Sequence, residues 1–101
     1  MDFEFSEAHL REKAATMTPP IPEHMRDSVI GYICRGRPVG DFLQAVIRND
    51  LRGAVSRGDD ENVQALGTYV RFFWNYSPTE CHGDADRHDY WVERGGLEGR
   101  R

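Results

Sequence analysis

Apolar residues recur most regularly between Asp41 and Gly58, and they predict one long amphipathic helix there. The apolar positions lie three or four residues apart, which places them on one face of a helix. They are Leu43, Val46, Ile47, Leu51, Ala54 and Val55. Asp41 can cap the start of this helix and Gly58 can end it. Asp50 falls on or beside the buried stripe, so we expect either a structural tie to a neighbouring backbone amide or an arginine, or a specificity role at a subunit contact.

Capping residues bound two further predicted helices. One runs from about Pro22, which suits the first helical turn because that turn needs no backbone N–H, to Arg35, where a glycine follows. The other is short, begins after Asp84 and closes before Gly95. The connector RPVGD, residues 37–41, is so short that we expect the helices on either side of it to pack as an antiparallel hairpin.

A fourth predicted helix contains the aromatic segment of residues 69–76. It begins at Asp59 or Asp60, whose side chains can cap it, and it ends near Asn75 or Tyr76, ahead of a proline. Its expected core-facing residues are Val63, Leu66, Val70, Phe73 and Trp74. Three further aromatic side chains then face away from the core, where such rings favour interfaces, unless the N-terminal segment or the last helix covers them. They are Tyr69, Phe72 and Tyr76.

A chain of 101 residues has room for one domain with one modest core. Residues 1–20 are predicted to form an N-terminal arm, helical over about Ser6–Thr16. Residues 21–96 form the predicted helical domain and residues 97–101 a loose tail. The predicted fold class is therefore all-α: a small irregular helical bundle that consists of a helical hairpin, two further helices and a helical N-terminal arm.

Basic residues concentrate in the middle of a chain that is acidic overall. The formal net charge is -4, yet residues 26–57 carry six basic and three acidic side chains. Arg35 and Arg37 flank the predicted hairpin turn, and Arg48 and Arg52 lie four residues apart on one exposed face of the long helix. Guanidinium groups in this arrangement predict a site for a small anionic ligand or for an acidic protein surface. The acidic remainder of the chain argues against binding to duplex nucleic acid.

The densest group of polar residues lies between Cys81 and Asp89, but its spacing fits no metal motif. It lacks the paired ligands of a zinc site and the glycine and glutamate positions of a calcium loop. Cys81 and His82 are adjacent, so they rarely aim at one another, and no third residue can be assigned to orient the histidine. No phosphate-binding loop is present either. We therefore expect no enzymatic activity, no bound metal and no cofactor.

The sequence predicts a cytoplasmic protein that does not contact a membrane. No apolar run approaches the ~20 residues of a membrane span, and the acidic N-terminus lacks the basic start and apolar run of a signal peptide. Without a secretion signal, Cys34 and Cys81 are expected to be reduced thiols.

Most of the chain from Pro22 onward resembles a group of small helical proteins of tailed bacteriophages and prophages. The resemblance is carried by PEHMRDSVIGYICRGRPVGDFLQAVIRNDLRGAV, by the later NYSP segment and Cys-x-Gly loop, and by WVERGGLEG. That group has no assigned activity, so the resemblance implies a context and not a mechanism. It implies a phage-encoded protein made in the cytoplasm of a bacterial host.

Three functional hypotheses follow. The leading one is a non-enzymatic accessory protein that binds and inhibits a host protein, as an anti-defence factor, through the arginine-bearing hairpin or the aromatic face. The second is a sponge for a nucleotide signalling molecule, in which the four arginines hold phosphates and an aromatic residue of 69–76 stacks on the base. The third is a structural module that assembles with copies of itself as a homo-oligomer.

Overall fold

The computed structural model describes residues 6–99, which form seven α-helices and no β-strand. The helices are α1 (Glu7–Thr16), α2 (Glu23–Arg35), α3 (Asp41–Ile47), α4 (Leu51–Arg57), α5 (Asp60–Gln64), α6 (Leu66–Tyr76) and α7 (Ala85–Arg94), with a 3₁₀ turn at Thr79–Cys81. This all-α globule confirms the predicted fold class. None of these helices is long and apolar enough to cross a membrane.

The prediction of a single long helix over residues 41–58 is wrong, because the chain forms two helices there, α3 and α4. At the break Asn49 has a φ of 65°, in the left-handed region, which interrupts the helical hydrogen bonds. Asp50 then caps α4 by accepting a hydrogen bond from the Gly53 amide at 3.0 Å. The expected tie of Asp50 to a neighbouring backbone amide is therefore confirmed, but Asp50 is exposed and does not lie in a buried stripe.

The break also turns the apolar residues of α4 away from the core. Ala54 is buried there, whereas Leu51 and Val55 are among the exposed large apolar side chains. A helix of seven residues that packs mainly on α3 has one narrow face to bury, and Ala54 occupies it. The apolar positions predicted to face the core are therefore mostly buried in α3, but in α4 only Ala54 is buried.

The predicted fourth helix is also divided, at Ala65, and its buried face differs from the expected one. Tyr69 and Phe72 are completely buried in α6, while Val70 is exposed and Trp74 is 72% exposed. The Tyr69 hydroxyl donates to Asn62 Oδ1 at 2.7 Å, across the break between α5 and α6. The break shifts the helical phase, so that Tyr69 and Phe72 are buried in place of Val70 and Trp74, whereas Phe73 is buried as expected.

The N-terminal helix α1 belongs to the core, where the sequence predicts an arm. Leu10 and Ala14 are completely buried, and α1 packs against α2 and α6. The Ile21 amide donates to the Ala14 carbonyl at 2.9 Å, which returns the chain from α1 to the start of α2. Residues 1–5 of the predicted arm lie outside the described residues.

The C-terminal segment packs on the end of α2. Residues 97–99 therefore do not form part of the loose tail that the sequence predicts for residues 97–101. The amides of Leu97 and Glu98 and the indole N–H of Trp91 donate to the last carbonyls of α2 at 2.8–3.1 Å. The last two of these carbonyls have no partner within the helix itself, so the segment satisfies them, whereas the Tyr32 carbonyl also accepts from the capping Gly36 amide. Residues 100–101 of the predicted tail lie outside the described residues.

The helices that pack most extensively are α3 with α4 and α1 with α2. The expected hairpin of α2 and α3 is not among these closely packed pairs. The chain leaves α2 through Gly36 in the left-handed conformation and reaches α3 through an extended Gly40. This connector carries the chain away from α2, so α3 packs on α4, α6 and α7.

Candidate functional site

A groove of about 470 Å³ opens between α3, α6 and the loop that precedes α7, and we call it the tryptophan groove. Its walls are mainly apolar. They consist of Val46, Asn49, Val70, Phe73, Trp74, Thr79, His82, Gly83 and Arg87. The volume lies within the range of roughly 300–1,000 Å³ that is usual for small-molecule sites.

Trp74 is the most exposed large apolar side chain at the groove. It lies one helical turn after Val70 on α6, and the opposite face of α6 is filled by buried aromatic residues. The other tryptophan, Trp91, is completely buried and its N–H donates to two carbonyls of α2. A large apolar residue exposed at a concave surface is typical of an interaction site.

The loop before α7 forms the polar wall of the groove. The Gly83 amide donates to the Ile47 carbonyl at 2.8 Å, which fastens the loop to the end of α3. Asp84 caps α7 by accepting from the Arg87 amide at 2.8 Å. The Arg87 guanidinium then turns back and donates to the carbonyl of His82 at 3.3 Å. These bonds hold the side chains of His82 and Arg87 at the groove.

His82 presents an unpaired polar atom in this apolar setting. Its ring lies against Phe73, with centroids 5.7 Å apart. Its Nε2 atom is buried and has no hydrogen-bond partner. Burial, aided by the nearby positive charge of Arg87, lowers the pKa of His82. The imidazole is therefore neutral at neutral pH, with one ring nitrogen that donates and one that accepts.

Most of the remaining polar residues of the Cys81–Asp89 cluster have structural contacts. The Cys81 thiol is buried and contacts the Ser77 hydroxyl at 3.4 Å, and burial raises its pKa to about 12. Such a thiol stays protonated, whereas a nucleophile or a metal ligand must be a thiolate. Among residues 6–99 no group of three or more histidine, cysteine, aspartate or glutamate side chains is arranged to hold a metal ion.

Two members of the same cluster tie α7 to the end of α3. His88 stacks on Tyr32 at 5.9 Å and shares a 2.9 Å hydrogen bond between its Nδ1 and Asp89 Oδ1. Arg48 donates to that Asp89 oxygen at 3.2 Å. The contact with His88, followed by the charge of Arg48, lowers the pKa of Asp89. This chain of contacts fixes the helix end that supports the groove.

The four arginines expected to converge are not brought into one site. Arg35 is paired with Glu7 at 3.1 Å and with a second carboxylate in the C-terminal segment. Arg48 is occupied by its contact with α7, and the break at Asn49 removes the helix face that it was expected to share with Arg52. Arg37 and Arg52 are exposed, and neither forms an ion pair within the described part of the chain.

The three aromatic residues expected at an interface lie in or against the core. Tyr69 and Phe72 are completely buried, as described above. Tyr76 is half-buried beneath α1, with the ammonium of Lys13 5.7 Å from its ring centre and the ring of His9 at 6.3 Å. The N-terminal segment therefore covers Tyr76, which was the alternative to an exposed position at an interface. The exposed aromatic residue of α6 is Trp74, which the apolar pattern assigned to the core.

Sequence reasoning missed the groove because no local signal marks it. Its residues come from three separate segments, and their juxtaposition depends on the breaks at Asn49 and Ala65. The one available signal was the surplus of aromatic residues in the α6 segment, which indicated that an aromatic ring must remain exposed. The helical spacing of the apolar residues, however, assigned Tyr69 and Phe72 to the surface and Trp74 to the core, which is the reverse of what the structure has.

Comparisons of the chain with protein-family models, with curated proteins and with solved structures found no match. The class that the fold and the site define is an all-α globule with an apolar groove and an exposed tryptophan at its surface.

Proposed function

We propose that this protein is a non-enzymatic, phage-encoded accessory protein that binds and inhibits a host protein in the bacterial cytoplasm, as an anti-defence factor. The tryptophan groove is the binding site in this proposal. The observation that carries it is the 72% exposure of Trp74 beside an apolar groove. Tryptophan is among the residues that contribute most to binding energy at protein interfaces, because a large apolar surface leaves water on binding.

The groove defines the chemistry of the partner. Apolar walls favour an aliphatic or aromatic side chain as the anchor. Arg87 lies at the groove, and Arg52 and Arg57 are exposed on α4, which begins two residues after the groove residue Asn49. Carboxylates beside the anchor would therefore be favoured over basic residues. The expected partner is a host protein that presents an apolar anchor flanked by acidic residues.

The chemistry of the cysteines supports binding over catalysis. The raised pKa of Cys81 keeps its thiol protonated beside His82, and burial raises the pKa of the Cys34 thiol as well. Inhibition then follows from occupying a surface of the host protein that its own activity requires. No chemical step on the host protein is part of the proposal.

The test is affinity capture from host lysate with three forms of the protein. Wild type and Tyr90→Ala should retain the same specific host protein, and Trp74→Ala should lose it. Tyr90 is a matched control because it is a half-exposed aromatic residue on α7 that does not line the groove. The captured host protein should lose activity when wild type is added and keep it when Trp74→Ala is added. Equal capture by Trp74→Ala would contradict the proposal.

A second candidate function is the sequestration of a nucleotide signal in the same groove. The specific observation in its favour is that an indole and a guanidinium, those of Trp74 and Arg87, line one groove of suitable volume. An indole can stack on a base and a guanidinium can bind a phosphate. Cyclic nucleotides should then quench Trp74 fluorescence in wild type, and Arg87→Gln should weaken the effect. A panel of cyclic nucleotides without any effect would remove this candidate.

A further inference from the structure

We infer that two copies of this chain pair through two surface patches of opposite charge, with the outer face of α4 in each copy packed against the outer face of α7 in the other. This inference goes beyond the proposed function and does not depend on it, because neither patch includes a residue that lines the tryptophan groove. It rests on exposed apolar side chains, on unpaired charges and on the position of the two patches.

The first patch, which we call the α4 patch, consists of Leu51, Arg52 and Val55. Leu51 and Val55 lie one helical turn apart and are both exposed, whereas Ala54 on the opposite face of α4 is buried. Arg52 is exposed beside them and forms no ion pair within residues 6–99. The patch is therefore apolar with one positive charge, and such an arginine can bind a carboxylate through two parallel hydrogen bonds.

The second patch, which we call the α7 patch, consists of Asp86, Tyr90 and Glu93. The spacing places one carboxylate a turn before and the other a turn after the half-exposed Tyr90. The Arg94 guanidinium donates to the Tyr90 hydroxyl at 3.3 Å and holds the ring in place. Neither carboxylate takes part in an ion pair in the part of the chain that the structure describes. The patch is therefore an aromatic ring between two negative charges.

The two patches complement each other in apolar surface and in charge. Among residues 6–99 five large apolar side chains are exposed, and the tryptophan groove accounts for two of them. The other three all belong to the two patches. Tyr90 of one copy fits between Leu51 and Val55 of the other, and Arg52 then lies near the two carboxylates. A second copy covers both patches at once, whereas an acidic or a basic partner of another kind would cover only one.

The two patches are neighbours on the surface, which allows one two-fold axis to form both contacts. Arg48 donates to Asp89 Oδ1 at 3.2 Å, and this ion pair joins the chain just before α4 to the middle of α7. Leu51 follows Arg48 by three residues, a reach of at most about 11 Å, and Tyr90 follows Asp89 directly. A two-fold axis between the patches places α4 of each copy on α7 of the other, so the contact closes at two copies.

The size of the patches predicts a weak and reversible dimer. α4 has seven residues, so it is about 10 Å long, and a helix is about 10 Å wide. Two contacts of this size bury on the order of 400 Å² in total, below the range of about 1,200–2,000 Å² for a stable interface. The formal net charge of -4 on each copy adds a general repulsion. We therefore expect monomers at low micromolar and dimers at millimolar concentration.

The test is sedimentation equilibrium of the purified chain over this concentration range. Wild type and Arg37→Glu should shift from monomer to dimer. Arg52→Glu should raise the dissociation constant about 5- to 100-fold, because two attractions per dimer become two repulsions. Arg37 is a matched control, since it is exposed and unpaired as Arg52 is and lies outside both patches. Tyr90→Ala should raise the dissociation constant at least about tenfold through the lost apolar contact.

An exchange of charge between the patches tests which helices meet. The double variant Asp86→Arg with Glu93→Arg should dimerise as poorly as Arg52→Glu does. Mixed in equal amounts, these two forms should give a 1:1 dimer, because each α4 again faces an α7 of opposite charge. Native mass spectrometry separates the two masses. Urea midpoints check that each form is folded, and Glu93→Arg alone, which suits the C-terminal end of α7, replaces the double variant if that one unfolds.

Three results would overturn the inference. The first is a wild-type chain that stays monomeric at millimolar concentration. The second is a dimer that Arg52→Glu and Tyr90→Ala leave unchanged, which would place the contact elsewhere. The third is a mixture of the oppositely charged forms that gives no 1:1 dimer. Trp74→Ala should dimerise as wild type does, so the failure of this inference and the failure of the proposed function are distinguishable.

Discussion

The two tryptophans should respond to truncation in opposite ways, and this contrast tests the assignment of the groove. Trp91→Ala removes a completely buried indole, whereas Trp74→Ala removes one that is 72% exposed. If Trp74 serves binding, its loss should cost little folding free energy. Trp91 has the opposite role, because its N–H donates to the Tyr32 and Ile33 carbonyls at 3.0 and 3.1 Å.

The structure sets the size of the contrast. Truncation of a buried tryptophan costs about 3–5 kcal/mol, and two carbonyls of α2 lose a donor besides. A domain of this length has an unfolding free energy of roughly 5–15 kcal/mol, so Trp91→Ala should unfold at far lower denaturant. Trp74→Ala should stay within about 0.5 kcal/mol of wild type. Against a partner, the exposed Trp74 surface of roughly 110–180 Å² corresponds to about 3–4 kcal/mol, or at least a hundredfold in affinity.

Urea unfolding followed by far-ultraviolet circular dichroism measures both effects. The two variants and wild type should share one slope of free energy against urea, and only Trp91→Ala should shift the midpoint strongly. Trp91→Phe is an intermediate control, since it keeps most of the ring and removes the N–H. A loss of more than about 1 kcal/mol in Trp74→Ala would refute the reasoning, because Trp74 would then stabilise the fold.

Three further predictions follow from the described contacts. Gly96→Ala should destabilise the fold strongly, since its φ is 70° and an added Cβ would lie 2.5 Å from the Gly36 amide nitrogen; Gly40→Ala, with open space around it, should change the urea midpoint little. Asp50→Ala should cost about 1 kcal/mol through the lost cap of α4, and equal midpoints would contradict that cap. Because burial lowers the pKa of His82 below its ordinary 6.5, the native state binds the proton less readily than the unfolded chain. The unfolding free energy should therefore be at its full value above pH 6.5 and fall as the pH drops through it, and His82→Gln should reduce that fall.

The sequence by itself determined the ends of several helices. Asp59 and Asp84 accept hydrogen bonds from amides three residues ahead, as their positions predict. Gly36 and Gly95 adopt the left-handed conformation at the ends of α2 and α7. These features are local: a cap or a helix end depends on residues within about one turn, so the sequence contains the information directly.

Only the tertiary structure decided which faces are buried and which side chains remain exposed. Tyr69 packs on Phe42 with ring centres 5.2 Å apart, and this contact joins residues far apart in the chain. The same holds for Arg35, whose partners lie in α1 and in the C-terminal segment. Helical spacing shows that one face of a segment is apolar. It does not show where a neighbouring segment breaks, and the breaks at Asn49 and Ala65 set the rotation of α6 that leaves Trp74 exposed at the groove.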